Sequence, residues 1–440
     1  MHPMIKPALR RGWRDRATVQ YGVAPAHAIQ LGPVDTATGS FLDLLDGTRS
    51  VPQLAEAAQS LGLGAARVGP LLDRLLAAGV LDDSTADRST AAHVGERLRP
   101  DLASLSVVYA APGEALRRLA ARRAARVEVR GGGRVGSVLA ALLSAAGVGR
   151  VEARDGGCVS LADCAPGGVS QEWAGERRLS ALRRVINKAT PWARVPRPRC
   201  PAPGELWPEV DQAAAEAVGA ASGDSPSPAV AAPVAPPGGG RRSPAPAVER
   251  PAPTVDRPAP TVDRSAAGPR PGGAQTAGPG ADLVVFAPRD GLAAYAPDPE
   301  AARELMESGR AHLYTGVVEG TGFVGPLVRP GAGACAECMM LGRAEREPTW
   351  PLVVGQWRNA RARGVPACDV ALASVVAGAA AALVLRHVEG EATAGVGLRE
   401  CYVLPELRKE AEPLPAWSEC PCGAALRTEA TGPQQWKRQG

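Results

Sequence analysis

The stretch "VEVRGGGRVGSVLAALLSAAGVGRVEARDGG", residues 127–157, limits the fold more than any other part of the chain. A strand-like run leads into three consecutive glycines. An alanine-rich segment with helical spacing follows, and a second strand-like run ends at Asp155. Strand, glycine turn, helix, strand is the layout of a nucleotide-binding βαβ unit. Gly131, Gly133 and Gly136 stand in G-x-G-x-x-G register. Glycines at those places let backbone approach phosphate at a helix N-terminus, whose amides and dipole favour anions. Asp155, about 20 residues on, is where such a unit holds ribose hydroxyls. A Rossmann-like α/β unit is therefore expected. Whether it still binds nucleotide is a separate question.

At 440 residues the chain has room for two or three domains. Its 50 basic and 45 acidic residues leave a net charge of +5, too balanced to point to nucleic acid. The start, "MHPMIKPALRRGWRDR", is basic but has no apolar run after it, so no signal peptide is expected. The longest apolar run, "VALASVVAGAAAALVL" (370–385), falls short of the roughly 20 residues a bilayer span needs and reads as a buried core helix. No membrane association and a cytoplasmic location are expected. The nine cysteines, several in close pairs, favour metal or free thiols over disulfides.

Residues 1–84 read as a small winged-helix-like α+β module. "AHAIQLG" suggests a short strand and "TGSFLDLLDG" a helix. "SVPQLAEAAQSLGL" opens with Ser50 as cap, Gln53 completing a capping box and Pro52 in the first turn. A third helix places Val68, Leu71, Leu72, Leu75 and Leu76 on one stripe and stops at Gly79. Residues 85–125 form a connecting segment with helical character. The Rossmann-like domain occupies 126–200 and resumes at 281–430, ahead of a tail at 431–440. Between its halves, 201–280 is dominated by Pro, Ala, Gly and Ser and carries the tandem copy "RPAPTVDRPAPTVD". Such a segment buries too little apolar surface to offset its ordering entropy and is expected to be disordered, save for a helix start at "LWPEVDQAAAEAV" (206–218).

"CAEC" supplies Cys335 and Cys338, and "ECPCG" supplies Cys420 and Cys422. Two local pairs of thiolates match a structural, tetrahedral zinc site, although Cys-x-Cys is tighter than the usual Cys-x-x-Cys. Four unrelated thiols are the alternative. Cys368 near a helix start is either a reactive thiol or, on the plainer reading, a small buried residue. Cys158, Cys164, Cys200 and Cys401 have no partner spacing, and His27, His93, His312 and His387 are scattered.

The order of parts from 126 to 425 resembles the ThiF/MoeB family of adenylating enzymes related to ubiquitin-activating proteins. The matching features are "GGGRVGS", Asp155, "HLYTGVVEGTGFVGPLV", "GACAEC", "CDVALASVVAGAAAALVL" and the terminal cysteines. The N-terminal module, through "LLDGTRSVPQLAEAA" and "LLDRLLAAGVLDD", resembles PqqD-like domains that bind the leader peptides of ribosomally made natural products. Together the parts look like the fused ThiF-type proteins of thiazole/oxazole-peptide cyclodehydratase clusters.

The resemblance implies ATP–Mg²⁺ binding and activation of a peptide carboxylate as an acyl-adenylate. Several charges that this chemistry needs are changed. Asp155 stays, but Gly157 stands where a second acid is usual and Pro166 lies near the expected arginine. Arg178 most nearly matches the family lysine. In "FAPRD", Phe286 and Arg289 occupy the two acidic positions, with Asp290 one residue out of register. Single electrostatic groups contribute ~10²–10³ in rate, so such losses imply a scaffold more than a catalyst.

Two functions of different class follow. One is a ThiF-like protein that binds a leader peptide and presents it to a YcaO-type cyclodehydratase. The peptide would add a strand near Ala28, Ile29 and Leu31 and pack on the helix carrying Val68 and Leu72. The other is a working adenylyltransferase using Arg134, Arg178 and Asp290. A third reading, DNA binding, is weak because the candidate recognition helix carries only Arg67 and Arg74 with Asp73 between them. The resemblance also allows a homodimer.

Overall fold

The computed structural model describes residues 1–86, 91, 94–192, 281–359, 366–391 and 393–426. The segment read as disordered, the helix start at 206–218, Cys200, His93 and the tail lie outside the described residues.

In the N-terminal module, β1 (Pro3–Ile5) pairs antiparallel with β5 (Leu81–Asp83), and β2 (Arg11–Trp13), β3 (Val19–Tyr21) and β4 (Ile29–Leu31) form a three-stranded sheet in that order. Three helices pack on them: α1 (Thr36–Asp43), α2 (Val51–Ser60) and α3 (Ala65–Ala77). The expected capping box is present, with Ser50 N donating to Gln53 Oε1 at 2.8 Å. Gly79, at φ +72°, ends the third helix in the left-handed conformation that favours glycine.

The connecting segment contains α4 (Arg99–Val108) and α5 (Glu114–Ala124). The α5 helix is tied to the far end of the longest helix among the described residues. Arg122 Nε lies 2.6 Å from Glu389 Oε1, and Arg118 reaches both Glu389 and Glu391 at 3.3 and 3.5 Å. Tyr109 Oη donates to Glu391 at 2.8 Å, and Arg118 lies over the Tyr109 ring. Behind this junction, buried Lys6 donates to the Tyr109 and Ala110 carbonyls. The module and the α/β domain are thus joined by a largely shielded charge network.

The α/β domain is built on a seven-stranded sheet in the order β12-β11-β10-β9-β8-β6-β7. Its parallel part comprises β6 (Arg126–Arg130), β7 (Arg150–Arg154), β8 (Leu283–Phe286) and β9 (Ala311–Val318). The strands β10 (Thr321–Val328), β11 (Leu398–Val403) and β12 (Arg408–Pro413) extend it antiparallel. Both faces are covered, so β9 and β10 read as near-continuous apolar runs rather than alternating ones.

One face carries α6 (Arg134–Ala145), α7 (Arg178–Ala189) and the apolar helix, α12 (Val370–Val388). The opposite face carries Tyr314, Phe323 and Val328, packed against α10 (Ala336–Arg346) and the cysteines. The short α8 (Leu292–Tyr295), α9 (Arg303–Glu307) and the helix α11 (Trp350–Asn359) complete that side. With 19 residues, α12 is long and apolar enough to cross a membrane, longer than the run its sequence suggested. Here Leu372, Val376, Ala380 and Val384 are buried in the core on the sheet.

His312 in β9 is fully buried, edge-on to the stacked rings of Phe286 and Tyr314, and burial holds its imidazole down to about 4. An unfolded histidine, at 6.5, takes up a proton that the buried one refuses until about pH 4. Stability therefore rises with pH across that window and is lost as acid is added through it. The difference is on the order of 3 kcal/mol. Thermal melts of His312→Leu between pH 4 and 6.5 are expected to show a flatter pH slope than the parent. An unchanged slope would show that other groups set it.

Candidate functional site

In an open α/β sheet the ligand crevice lies beyond the carboxyl ends of the strands, where the strand order reverses. Here that point falls between β6 and β8, and three turns meet there: Gly131–Gly133, Asp155–Gly157 and Ala287–Arg289. The predicted glycines have separable tasks. Gly131 has φ +119°, and a Cβ on it would stand 2.0 Å from the Ala287 carbonyl oxygen. Gly136 lies in the first turn of α6, where a Cβ would stand 2.0 Å from the Gly131 oxygen. Gly133 caps that helix. The turn therefore has the close backbone approaches that its glycine spacing predicts.

The side chains around it are paired with one another. Asp155 Oδ2 accepts from the Gly132 amide at 2.5 Å, and Oδ1 accepts from Arg178 Nη1 at 2.6 Å. Arg178 also donates to the Gly156 and Cys158 carbonyls at 2.7 and 2.6 Å. Its side chain is only 8% exposed and opens α7, where a cation works against the helix dipole. Asp155 and Asp163 offset that cost.

Asp163 closes a turn after β7. Its Oδ2 accepts from Ser160 N and Oγ at 2.8 and 2.9 Å and lies 3.5 Å from Arg178 Nε. Its Oδ1 accepts from Arg289 Nε, whose Nη2 donates to Ser160 Oγ at 3.0 Å. Two carboxylates and two guanidiniums thus neutralise each other beside the glycine turn.

The candidate residues fall into separate places. Gly131, Gly133, Gly136, Asp155 and Arg178 lie together around the turn after β6. Asp290 is exposed, and its Oδ1 accepts from the Leu292 amide at 3.0 Å, starting α8. Arg134 turns away to donate to the Cys368 carbonyl at 2.7 Å. Cys368 is half-buried against the core, and burial pushes its thiol up, in line with the plainer reading. Asp163 and Ser160 were not anticipated. Their signal was Ser-x-x-Asp, a capping-box spacing, inside an irregular loop.

Cys335, Cys338, Cys420 and Cys422 do meet, with all four Sγ atoms within 4.8 Å of one another. Cys335 lies 3.8 Å from Cys338 and 3.5 Å from Cys420, and Cys338 lies 3.5 Å from Cys422. Cys335 caps α10 and Cys338 sits in its first turn, so the cluster pins the segment at 417–423 to that helix. Hydrogen bonds from Cys335 and the Trp417 amide hold the Cys338 thiol well below its usual range. Such a donor set fits a metal ion.

In the N-terminal module, β4 is the last strand of its sheet, with Ala28 and Ile29 half-buried. Leu31, Val68 and Leu72 are 5%, 2% and 5% exposed and belong to the module's own core, so their side chains are committed inward. The outward groups near β4 are Arg67, paired with Asp35 at 3.2 Å, and Arg74, which donates to the Gly32 carbonyl at 3.1 Å. Both arginines of the would-be DNA helix are thereby engaged within the protein.

No protein-family model matches the sequence, and no curated protein matches it. Solved structures do. E. coli MccB, determined with MccA-N7isoASN, aligns with a TM-score of 0.56 at 12% identity, covering 96% of this chain and 100% of that one. E. coli MccB with ATP gives 0.57 at 12% identity, covering 96% and 99%. The heterocyclase TruD gives 0.52 at 15% identity, covering 100% of this chain but 45% of TruD. The fold is the one these proteins share.

Two measurements follow from this geometry. Gly136→Ala drives a methyl into the Gly131 carbonyl and is expected to lower stability by about 1–3 kcal/mol in urea unfolding; a neutral effect would mean the turn is not so tightly packed. Elemental analysis of purified protein is expected to find a metal that Cys338→Ser loses; metal-free protein of full stability would exclude the site.

Proposed function

We propose that the chain binds a ribosomally made precursor peptide through residues 1–84 and presents it to a partner modifying enzyme, its ThiF-type nucleotide site being degenerate. The observation that carries this reading is the mutual neutralisation of Asp155, Asp163, Arg178 and Arg289 at the glycine turn. ATP needs unpaired cations for its phosphates and an acid for Mg²⁺. The cations here already have carboxylates, and Arg289 stands where the acid belongs. ATP–Mg²⁺ does not fit these residues as they are arranged.

The peptide part is supported by likeness. MccB, the Microcin C7 biosynthetic enzyme, has been solved in complex with N-formylated MccA. The open edge of β4, in a module of the PqqD-like pattern, suits an extended peptide added as a strand. The inward burial of Val68 and Leu72 leaves contacts on α3 to its outer residues, such as half-buried Leu71. The chain spans less than half of TruD, a heterocyclase, and the partner proposed here is a cyclodehydratase. Zinc is the metal proposed for the four cysteines. Tetrahedral zinc–sulfur bonds of about 2.3 Å put sulfurs about 3.8 Å apart, close to the spacings here.

The competing activity is peptide-dependent adenylation, favoured by the retained turn backbone. Full-length, metal-loaded protein is expected to bind candidate leader peptides in fluorescence anisotropy, and protein lacking residues 1–84 is expected to lose that binding. It is also expected to give no ATP–pyrophosphate exchange with those peptides. Full binding after the deletion would overturn the peptide assignment, and peptide-dependent exchange would restore the enzyme.

A further inference from the structure

We infer that Arg289 is an internal occupant of the nucleotide cradle, latched in place by Asp163, and that this one side chain holds the cradle shut. The inference rests on the reading of the site as degenerate and says which group makes it so.

The argument is one of asymmetry between the two arginines. Arg178 is 8% exposed, lies beneath the turn and is fixed by Asp155 and two carbonyls. Removing it would leave two buried carboxylates short of a partner, so it belongs to the foundation of the turn. Arg289 differs in each respect. Its side chain is 39% exposed, and both its polar contacts go to a single turn, Asp163 and Ser160. Without it Asp163 loses the partner of Oδ1 but keeps Ser160 and Arg178 on Oδ2.

Its stem lies where a ligand would have to come. A Cβ on Gly133 would stand 3.0 Å from Arg289 Cγ and 3.3 Å from its Cα. In a G-x-G-x-x-G turn the second glycine is the one that lets backbone approach the phosphates. Here that room is taken by the arginine's methylenes. The head crosses the mouth to Asp163, which is 3% exposed and held by Ser160 on its other oxygen. The latch is thus a rigid acceptor and a movable donor. Beneath it, α6 starts at Arg134, leaving its first-turn amides without intrahelical partners. The obstruction is therefore a side chain placed over an otherwise retained backbone.

The test is calorimetric titration of full-length, metal-loaded protein with ATP, with and without Mg²⁺. The parent is expected to show no binding up to millimolar ATP. Arg289→Ala is expected to gain binding at least tenfold tighter than that limit, and adding Gly136→Asp, in protein shown to be folded and metal-loaded by its melting transition and metal content, is expected to abolish the gain. Asp163→Asn, which frees the latch but leaves the stem, is expected to gain less. A folded Arg289→Ala protein, with parental melting temperature and metal content, that still binds no ATP overturns the latch and leaves the degenerate-site reading standing. Parental protein that binds ATP as well as the variant overturns both. A gain that survives Gly136→Asp lies outside the cradle and also overturns the inference. Should Arg289→Ala misfold, Arg289→Gln decides by the same criteria.

Discussion

The α/β domain depends on a contact between two backbones. Gly131, in the left-handed region, lets the turn after β6 lie on the Ala287 carbonyl that follows β8, and Gly136 lets α6 close on Gly131 in turn. Any side chain at Gly131 would be strained by φ and blocked by backbone at once, with no flexible atom to give way. This contact sets where α6 begins, and hence which amide meets Asp155. It also brings the turn carrying Arg289 over the turn carrying Gly133. The electrostatics of the site follow from that approach.

The charges then oppose what the helix dipoles alone would favour. A helix N-terminus attracts anions, and α6 presents one, yet the neighbouring α7 opens with a cation and each carboxylate nearby is spent on an arginine. Pairs this shielded stabilise little relative to apolar packing, but breaking one by removing a partner is costly. Such a network resists partial change. Arg289 is the least enclosed of its four members.

The βαβ unit, the capped helices of the N-terminal module and the meeting of the four cysteines were legible because each rests on local periodicity or residue type. Gly131, Ser50 with Gln53, and the Cys335–Cys338 pair carry their signals within a few positions. Asp163 did not, because what gives it meaning is Arg289, 126 residues away. Nor did β12, "RKEAEP", which is polar and exposed and is a strand only because β11 offers it an edge. On α3 the apolar stripe is plain in the sequence, but the stripe alone does not say whether it faces the module's own core or a guest. Val68 and Leu72 face the core. Asp290 shows the opposite limit: an acid near the right register is drawn off to start a helix.

The central position of β6 has a further consequence for how the chain reaches this state. On one side β6 pairs with β7, which ends at Arg154, but on the other its neighbour is β8, which begins only at Leu283. Contacts so distant along the chain must close a long loop before they repay it, which slows folding. The N-terminal module has no such delay, since β1 and β5 both lie within its first 83 residues. On the ribosome the module can therefore fold while β6 still has an open edge, exposed until β8 arrives. The same sequence thus makes an early-folding unit and a late-closing sheet, with the interval between them being the time in which the sheet is most open to aggregation or to chaperones.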